Sequence, residues 1–200
     1  MTQRTRRPNE SPMAEPLGFF LTWATYGTWL PGDERGWIEY RHGWQLPAPA
    51  RMLEGEARMT EDACILDQEQ RTLVEKTIAD HCQIRDWQLH AVNCRTNHLH
   101  VVVSTNLHPD EIRKQFKAWC TRRLKESERR RRRMMAGDGP RLRVGLVSGD
   151  TLTRSASEVI HPIRENWWAE RGSRRYINDE HSLEAAILYV RDGQDGPRVE

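Results

Sequence analysis

Two histidines and one tyrosine are the residues of this chain best suited to chemistry. His98 and His100 stand in the run Asn97-His-Leu-His-Val-Val-Val103. Residues two apart on a β-strand face the same side, so both imidazoles project together. Two neutral imidazoles can share a metal ion when a third group joins them. Two polar residues at a half-exposed strand end are the alternative, but the valine run indicates a buried central strand and favours the metal site.

Tyr189 lies on a predicted C-terminal helix. Leu183, Ile187 and Val190 recur at i, i+4 and i+7 and predict its buried stripe. At 100° per residue, Tyr189 lies about 120° round from the centre of that stripe. A phenol on the flank of a helix can reach a site without being sealed in the core. A core-edge tyrosine whose hydroxyl meets water is the alternative.

The elements that must position these residues follow from hydrophobic patterning. Strands are predicted at 17–26, in a hairpin at 86–104, and in a second hairpin at 166–177 that turns at Gly172-Ser173. Helices are predicted at 68–83 with a capping box from Asp67 and Gln70, from Pro109 onward, and from Asn178 or Asp179 to near Gly193. Residues 29–49 read as an ordered loop or short hairpin. The order predicts an α+β sandwich around an antiparallel sheet.

Length and composition indicate one domain. The chain has 200 residues, 37% of them hydrophobic and 30% charged, and its eight tryptophans argue against disorder throughout. We expect a disordered basic tail at 1–16, a domain at 17–195, and a mobile Arg-rich connection at about 127–162. The four cysteines form no Cys-x-x-Cys pair and read as ordinary thiols. The apolar window 17–30 is too short and broken to span a bilayer, so we expect a soluble cytoplasmic protein without a membrane partner.

The helix that begins at Pro109 combines an apolar face with a basic one. The basic residues can neutralise phosphates, and the tryptophans could stack unpaired bases. An ordinary solvated helix face is the alternative for the first part, whereas the five consecutive arginines favour a basic arm that grips a nucleic-acid backbone. The predicted DNA-binding residues are Arg113, Lys114, Lys117, Arg122, Arg129, Arg130 and Arg131.

Three stretches in this order resemble the REP-associated tyrosine transposases, a branch of the single-tyrosine HUH transposases. The run Phe19–Asp33 looks like the N-terminal strand and turn of one subgroup. The run Asn97–Val103 matches the His-hydrophobic-His signature. The run Trp168–Gln194 resembles the C-terminal hairpin and tyrosine helix. Together the stretches cover less than half of the chain, and their co-occurrence is more specific than any one motif.

The resemblance implies a ferredoxin-like (RRM-like) antiparallel sheet packed with helices, the HUH endonuclease fold, with both histidines on a central strand. It implies that His98 and His100 bind a divalent metal, Mg²⁺ or Mn²⁺, and that Tyr189 is the nucleophile. The activity would be cleavage and rejoining of single-stranded or hairpin DNA, as in DNA transposition, through a 5′-phosphotyrosine intermediate.

This sequence departs from the family pattern at two places. Thr96-Asn97 replaces the usual Pro-Asn before the first histidine, and Gly193 replaces the amide expected four residues after the tyrosine. Gln194, or Asp192, is the candidate for a third metal ligand from the same helix.

Other functions remain open from the sequence. One is a non-cleaving DNA or RNA hairpin-binding protein derived from a transposase. Another is a hydrolytic metalloenzyme that uses the two histidines without Tyr189. Tyr176 is the fallback nucleophile, although it is predicted on a strand. The sequence also leaves a homodimer open.

Overall fold

A computed structural model describes residues 15–39, 42–135 and 163–193. Most of the predicted tail, and the predicted connection beyond residue 135, lie outside these ranges. The elements are β1 (Gly18–Ala24), β2 (Trp37–Glu39), β3 (Gly43–Gln45), α1 (Pro49–Ala57), α2 (Gln68–Ile84), β4 (Gln88–Cys94), β5 (His98–Ser104), α3 (Pro109–Met135), β6 (Ser173–Ile177) and α4 (Glu180–Arg191).

Four strands form one antiparallel sheet in the order β4-β5-β1-β6, so β5 and β1 are central. β2 and β3 form a separate short hairpin. The predicted α+β class and antiparallel sheet are confirmed. The capping box that begins α2 is also confirmed, because Asp67 Oδ1 accepts from the Gln70 N–H at 2.8 Å and Gln70 Oε1 accepts from the Asp67 N–H at 2.9 Å.

The two faces of the sheet carry different helices. Phe19, Leu21 and Trp23 of β1 pack with Leu99, Val101 and Val103 of β5 in the core against α2 and α3. The alternate residues face the other way, where Phe20, Ala91, Val102 and Ile177 pack against Ala186 and Val190 of α4. We call these the α2/α3 face and the α4 face. All four cysteines are free and buried.

The prediction of a second hairpin at 166–177 is wrong. Residues 173–177 form the single strand β6, which pairs with β1, and Trp168 makes only an isolated bridge to Thr25. The reason is tertiary packing: the Trp167 side chain is 2% exposed, and the Trp168 indole N–H donates to the Thr121 hydroxyl of α3 at 3.0 Å. Because of this packing, the segment before β6 does not pair with β6.

Two helical segments also go beyond the predictions. Helix α1 follows the β2–β3 hairpin, with a proline in its first turn but no side-chain cap. Helix α3 continues to Met135, so the first residues of the predicted connection are helical. None of the helices within the described ranges has the length and apolar character needed to cross a membrane.

Candidate metal and tyrosine site

The histidine pair lies on the α4 face of the central strand β5. The two rings are 4.8 Å apart between centroids and nearly perpendicular. His100 is flanked across the sheet by Thr22 of β1 and Asn93 of β4. Strand alternation therefore presents both imidazoles on one side, as predicted, while Leu99 points into the core against α2 and α3.

His100 is held in a neutral, oriented state. Its residue is 7% exposed, its ring stacks on Phe20 with centroids 5.5 Å apart, and its Nδ1 lies 2.8 Å from Thr22 Oγ1. Burial, together with the neighbouring His98 and Arg95, lowers the pKa of His100 to about 4. At neutral pH the ring is therefore uncharged, as a metal ligand must be.

His98 is oriented by its own neighbour. Its Nδ1 lies 2.7 Å from Asn97 Oδ1. Because an amide oxygen only accepts, Nδ1 carries the proton in the neutral ring and Nε2 carries the lone pair. The Asn97 carbonyl in turn accepts from the Thr25 N–H at 2.8 Å and from the Thr28 hydroxyl at 3.1 Å. The turn that begins β5 is thus tied to the end of β1.

Tyr189 lies on the same sheet face as the histidines, although it is about ninety positions away in the chain. Its ring centroid is 5.7 Å from that of His100 and 5.9 Å from that of Phe20, both in edge-to-face contact. The residue is 48% exposed, so the phenol is open to solvent. Helix α4 is capped at its N-terminus by Asp179, whose carboxylate accepts from the Ser182 N–H at 2.8 Å.

Asn93 connects the sheet to the C-terminal turn of α4. Its Nδ2 donates to the carbonyl oxygen of Val190, the residue after Tyr189, at 2.9 Å. Because Asn93 pairs with His100, this hydrogen bond holds the tyrosine helix over the histidine strand. The sequence alone does not single out Thr22, Asn93 and Phe20, since only the strand register reveals that they share the face of the histidines.

The donor set fits a metal ion in part. Two oriented imidazoles are nitrogen ligands that divalent metals accept. No group of three or more His, Cys, Asp or Glu side chains in the described ranges is arranged to hold a metal ion. The predicted third ligand Gln194 lies outside those ranges. Gly193 stands four residues after Tyr189, and a Cβ there would lie 2.9 Å from the Tyr189 carbonyl oxygen.

The fallback nucleophile Tyr176 lies on the other side of the sheet. It pairs with Phe19, and the two rings meet edge-to-face at 5.5 Å within the α2/α3 core. The structure therefore does not bring Tyr176 together with the histidines. Its position follows from the same alternation that buries Ile177 against α4.

The predicted DNA-binding residues lie on α3, which packs on the sheet face opposite the histidines. Several of them are engaged within the chain. Arg113 pairs with Asp110 and donates to the Gly172 carbonyl. Lys117 donates to the carbonyls of 169, 170 and 171 at 2.7, 3.1 and 3.2 Å. Burial and the nearby Arg113 lower the pKa of Lys117 to about 8.

The remaining basic residues of α3 are nearer to solvent. Lys114 lies 4.0 Å from Glu111, and the Arg122 guanidinium lies 5.1 Å from the centre of the Trp119 ring. Arg131 pairs with Asp67 and Glu69. Arg129 and Arg130 continue the same helix and are exposed. None of these side chains shares the face of the histidine pair.

A cavity of about 1060 Å³ opens between the loop after β1, helix α1 and helix α3. Two ion pairs lie in its charged lining, Asp33 with Arg35 and Glu61 with Arg164. Neither histidine nor Tyr189 lines it. We therefore place the candidate chemistry on the open α4 face, where the oriented rings lie, and not in this cavity.

Comparison of the chain with protein-family models, with curated proteins and with solved structures finds no match.

Proposed function

We propose that this protein cleaves and rejoins single-stranded or hairpin DNA, with Tyr189 as nucleophile and with His98 and His100 as ligands of a divalent metal, Mg²⁺ or Mn²⁺. The observation that carries the proposal is the meeting of Tyr189 and His100 on one sheet face, with ring centroids 5.7 Å apart. Two distant parts of the sequence supply these groups, and a nicking reaction needs both. A solvated phenol beside oriented imidazoles is suited to attack on a phosphodiester.

The topology supports the same proposal. Apart from the β2–β3 hairpin and α1, the elements follow the order strand, helix, two strands, helix, strand, with a helix added at the end. The first strand lies in the middle of the sheet beside the third. This is the order expected for the ferredoxin-like sheet that the family resemblance implies.

The proposed reaction is a transesterification. The Tyr189 oxygen forms a bond to phosphorus, the bond from phosphorus to the 3′ oxygen breaks, and the departing 3′ oxygen takes up a proton. The phenol proton leaves to solvent, to which the half-exposed Tyr189 is open. A divalent cation bound by the histidines would supply the charge that polarises the scissile phosphate. Attack by another 3′-hydroxyl reverses the step and joins new ends without a nucleotide cofactor.

Covalent trapping tests this proposal. Protein incubated with Mn²⁺ and a 5′-fluorescent or 3′-fluorescent hairpin oligonucleotide should give a denaturation-resistant adduct with the 3′-labelled product only. Tyr189→Phe should abolish the adduct, and EDTA or His100→Gln should reduce it strongly. Tyr176→Phe is the matched control, because that ring lies on the opposite face and should be dispensable. An adduct that survives Tyr189→Phe and disappears in Tyr176→Phe would refute the assignment.

A non-cleaving hairpin-binding protein is the second candidate. It is favoured by Gly193 at the position of the expected amide and by the presence of only two ligands in the described part of the chain. This candidate predicts tight hairpin binding with no adduct under any metal condition. A metal-dependent hydrolase predicts cleavage that continues in Tyr189→Phe. The same gel separates all three functions.

A further inference from the structure

Helix α4 covers only one part of the histidine face. Its buried residues pack on Ala91, Val102 and Ile177, and its C-terminal turn is bonded to Asn93 of β4. The helix therefore runs from the end of β6 toward β4. On the other side of the histidines, the face of β1 and β6 carries Thr22, Ala24, Ser173 and Arg175, all half-buried or exposed. We call these four residues the sheet-edge surface.

Strand register places the sheet-edge surface directly beside the histidine pair. Thr22 pairs with both His100 and Ser173, and Ala24 pairs with His98. Arg175 lies two residues after Ser173 on β6 and pairs with Phe20 of β1. Strands lie about 4.8 Å apart, so β6 is roughly 10 Å from the histidine strand. Apart from the arginine, the side chains of the sheet-edge surface are small or hydroxylated. Small side chains let a polymer backbone approach closely.

Arg175 is the cation that this surface presents to solvent. Its neighbour Arg174 points to the α2/α3 face and pairs with Asp110, whereas Arg175 forms no ion pair or hydrogen bond within the described ranges. The hydrogen bonds from Ser182, and more weakly the charge of Arg175, lower the pKa of Asp179, whose carboxylate caps α4. The guanidinium is thus available for an external anion on the same face as Tyr189.

We propose that the sheet-edge surface binds the sugar-phosphate backbone of single-stranded DNA, and that Arg175 contacts a phosphate next to the scissile one. The inference rests on the proposed function, because that function places the scissile phosphate at the histidine pair. Arginine and hydroxyl groups are the usual partners of DNA phosphates. The basic residues of α3 do not fill this role, since they lie on the opposite face.

Salt-dependent binding tests the proposal. In a Tyr189→Phe background, anisotropy of a fluorescent single strand is measured over a range of salt for Arg175→Gln and for the control Lys76→Gln. Lys76 is an exposed cation on α2, on the opposite side of the sheet, with a side chain 67% exposed. Arg175→Gln should weaken binding at low salt by about 5-fold and reduce the slope of log K against log salt by about 0.7, the value for one phosphate contact on a single strand. Lys76→Gln should leave the slope unchanged.

A slope that is unchanged in Arg175→Gln, or reduced equally by both substitutions, overturns the proposal. Adduct formation in the Tyr189-intact protein is measured separately. If the slope falls in Arg175→Gln but no adduct forms in any variant, the binding surface stands and the cleavage function fails. If the adduct forms and the slope does not change, the cleavage function stands and the binding surface fails.

Discussion

The buried His81 should make the protein sensitive to mild acid. The residue lies on α2, is 2% exposed, and is enclosed by the rings of Trp87, Phe116 and Trp119 at 5.1, 5.8 and 5.4 Å. Its Nε2 lies 3.2 Å from Gln115 Oε1, so Nε2 carries the proton. Nδ1 is buried with no hydrogen-bond partner in the described structure. Burial lowers the pKa of His81 in the folded state.

The sign of the effect follows from proton linkage. Below the ordinary histidine pKa of about 6.5, the unfolded chain binds a proton at this position that the folded chain does not. The free energy of unfolding therefore falls as pH falls, by up to about 1.4 kcal/mol per pH unit. Between pH 7.5 and pH 5 the loss from one such histidine has an upper limit of about 2 kcal/mol, which applies when the folded-state ring stays neutral over the whole range.

We expect His81→Leu to remove that part of the pH dependence. The assay is urea unfolding of the metal-free protein at several values between pH 7.5 and pH 5, with the change in free energy across this range as the readout. This change is insensitive to any constant packing difference introduced by leucine. His42→Leu is the control, because the His42 side chain is 69% exposed. Parallel pH profiles for the original protein and His81→Leu would refute the reasoning.

Four further predictions concern the site, the sheet and helix α1. Thr22→Val removes the hydroxyl 2.8 Å from His100 Nδ1, and calorimetric Mn²⁺ titration should show affinity lower by about 10-fold or more, whereas Thr22→Ser should retain it. Asn93→Asp removes the amide donor to α4, so the single-turnover cleavage rate should fall roughly 10-fold while DNA affinity is unchanged; equal losses in both would contradict a positioning role. Gly172→Ala places a Cβ 2.4 Å from the Thr22 carbonyl oxygen and should cost about 2 kcal/mol in urea unfolding. Gly55 lies on α1, and a Cβ there would meet only Leu30 at ordinary contact distances. Gly55→Ala should therefore stabilise the folded protein by up to about 1 kcal/mol.

Local signals in the sequence were sufficient for several elements. The capping box of α2, the proline that begins α3 and the aspartate that caps α4 act within a few residues, so they are visible without the fold. The shared face of His98 and His100 is equally local, because strand alternation depends only on spacing. A hairpin with a short turn between β4 and β5 also needs no distant contact.

Long-range contacts decided the rest. The segment 166–177 has a turn signal and apolar flanks, yet Trp167 and Trp168 pack into the core, and β6 pairs with β1 instead. The charges of α3 were evident in the sequence. Lys117, however, donates hydrogen bonds to carbonyl groups of the same chain, on the face away from the histidines. This outcome depends on how α3 docks on the sheet.

The same distinction applies to the site. Residue types and spacing were enough to select the two imidazoles and the phenol as candidates, because those properties belong to short segments of the chain. Their meeting depends on β5 occupying the centre of the sheet, on α4 packing over the side opposite α2 and α3, and on Asn93 anchoring its last turn. Register and helix docking arise from many contacts between distant residues, and no local pattern encodes them.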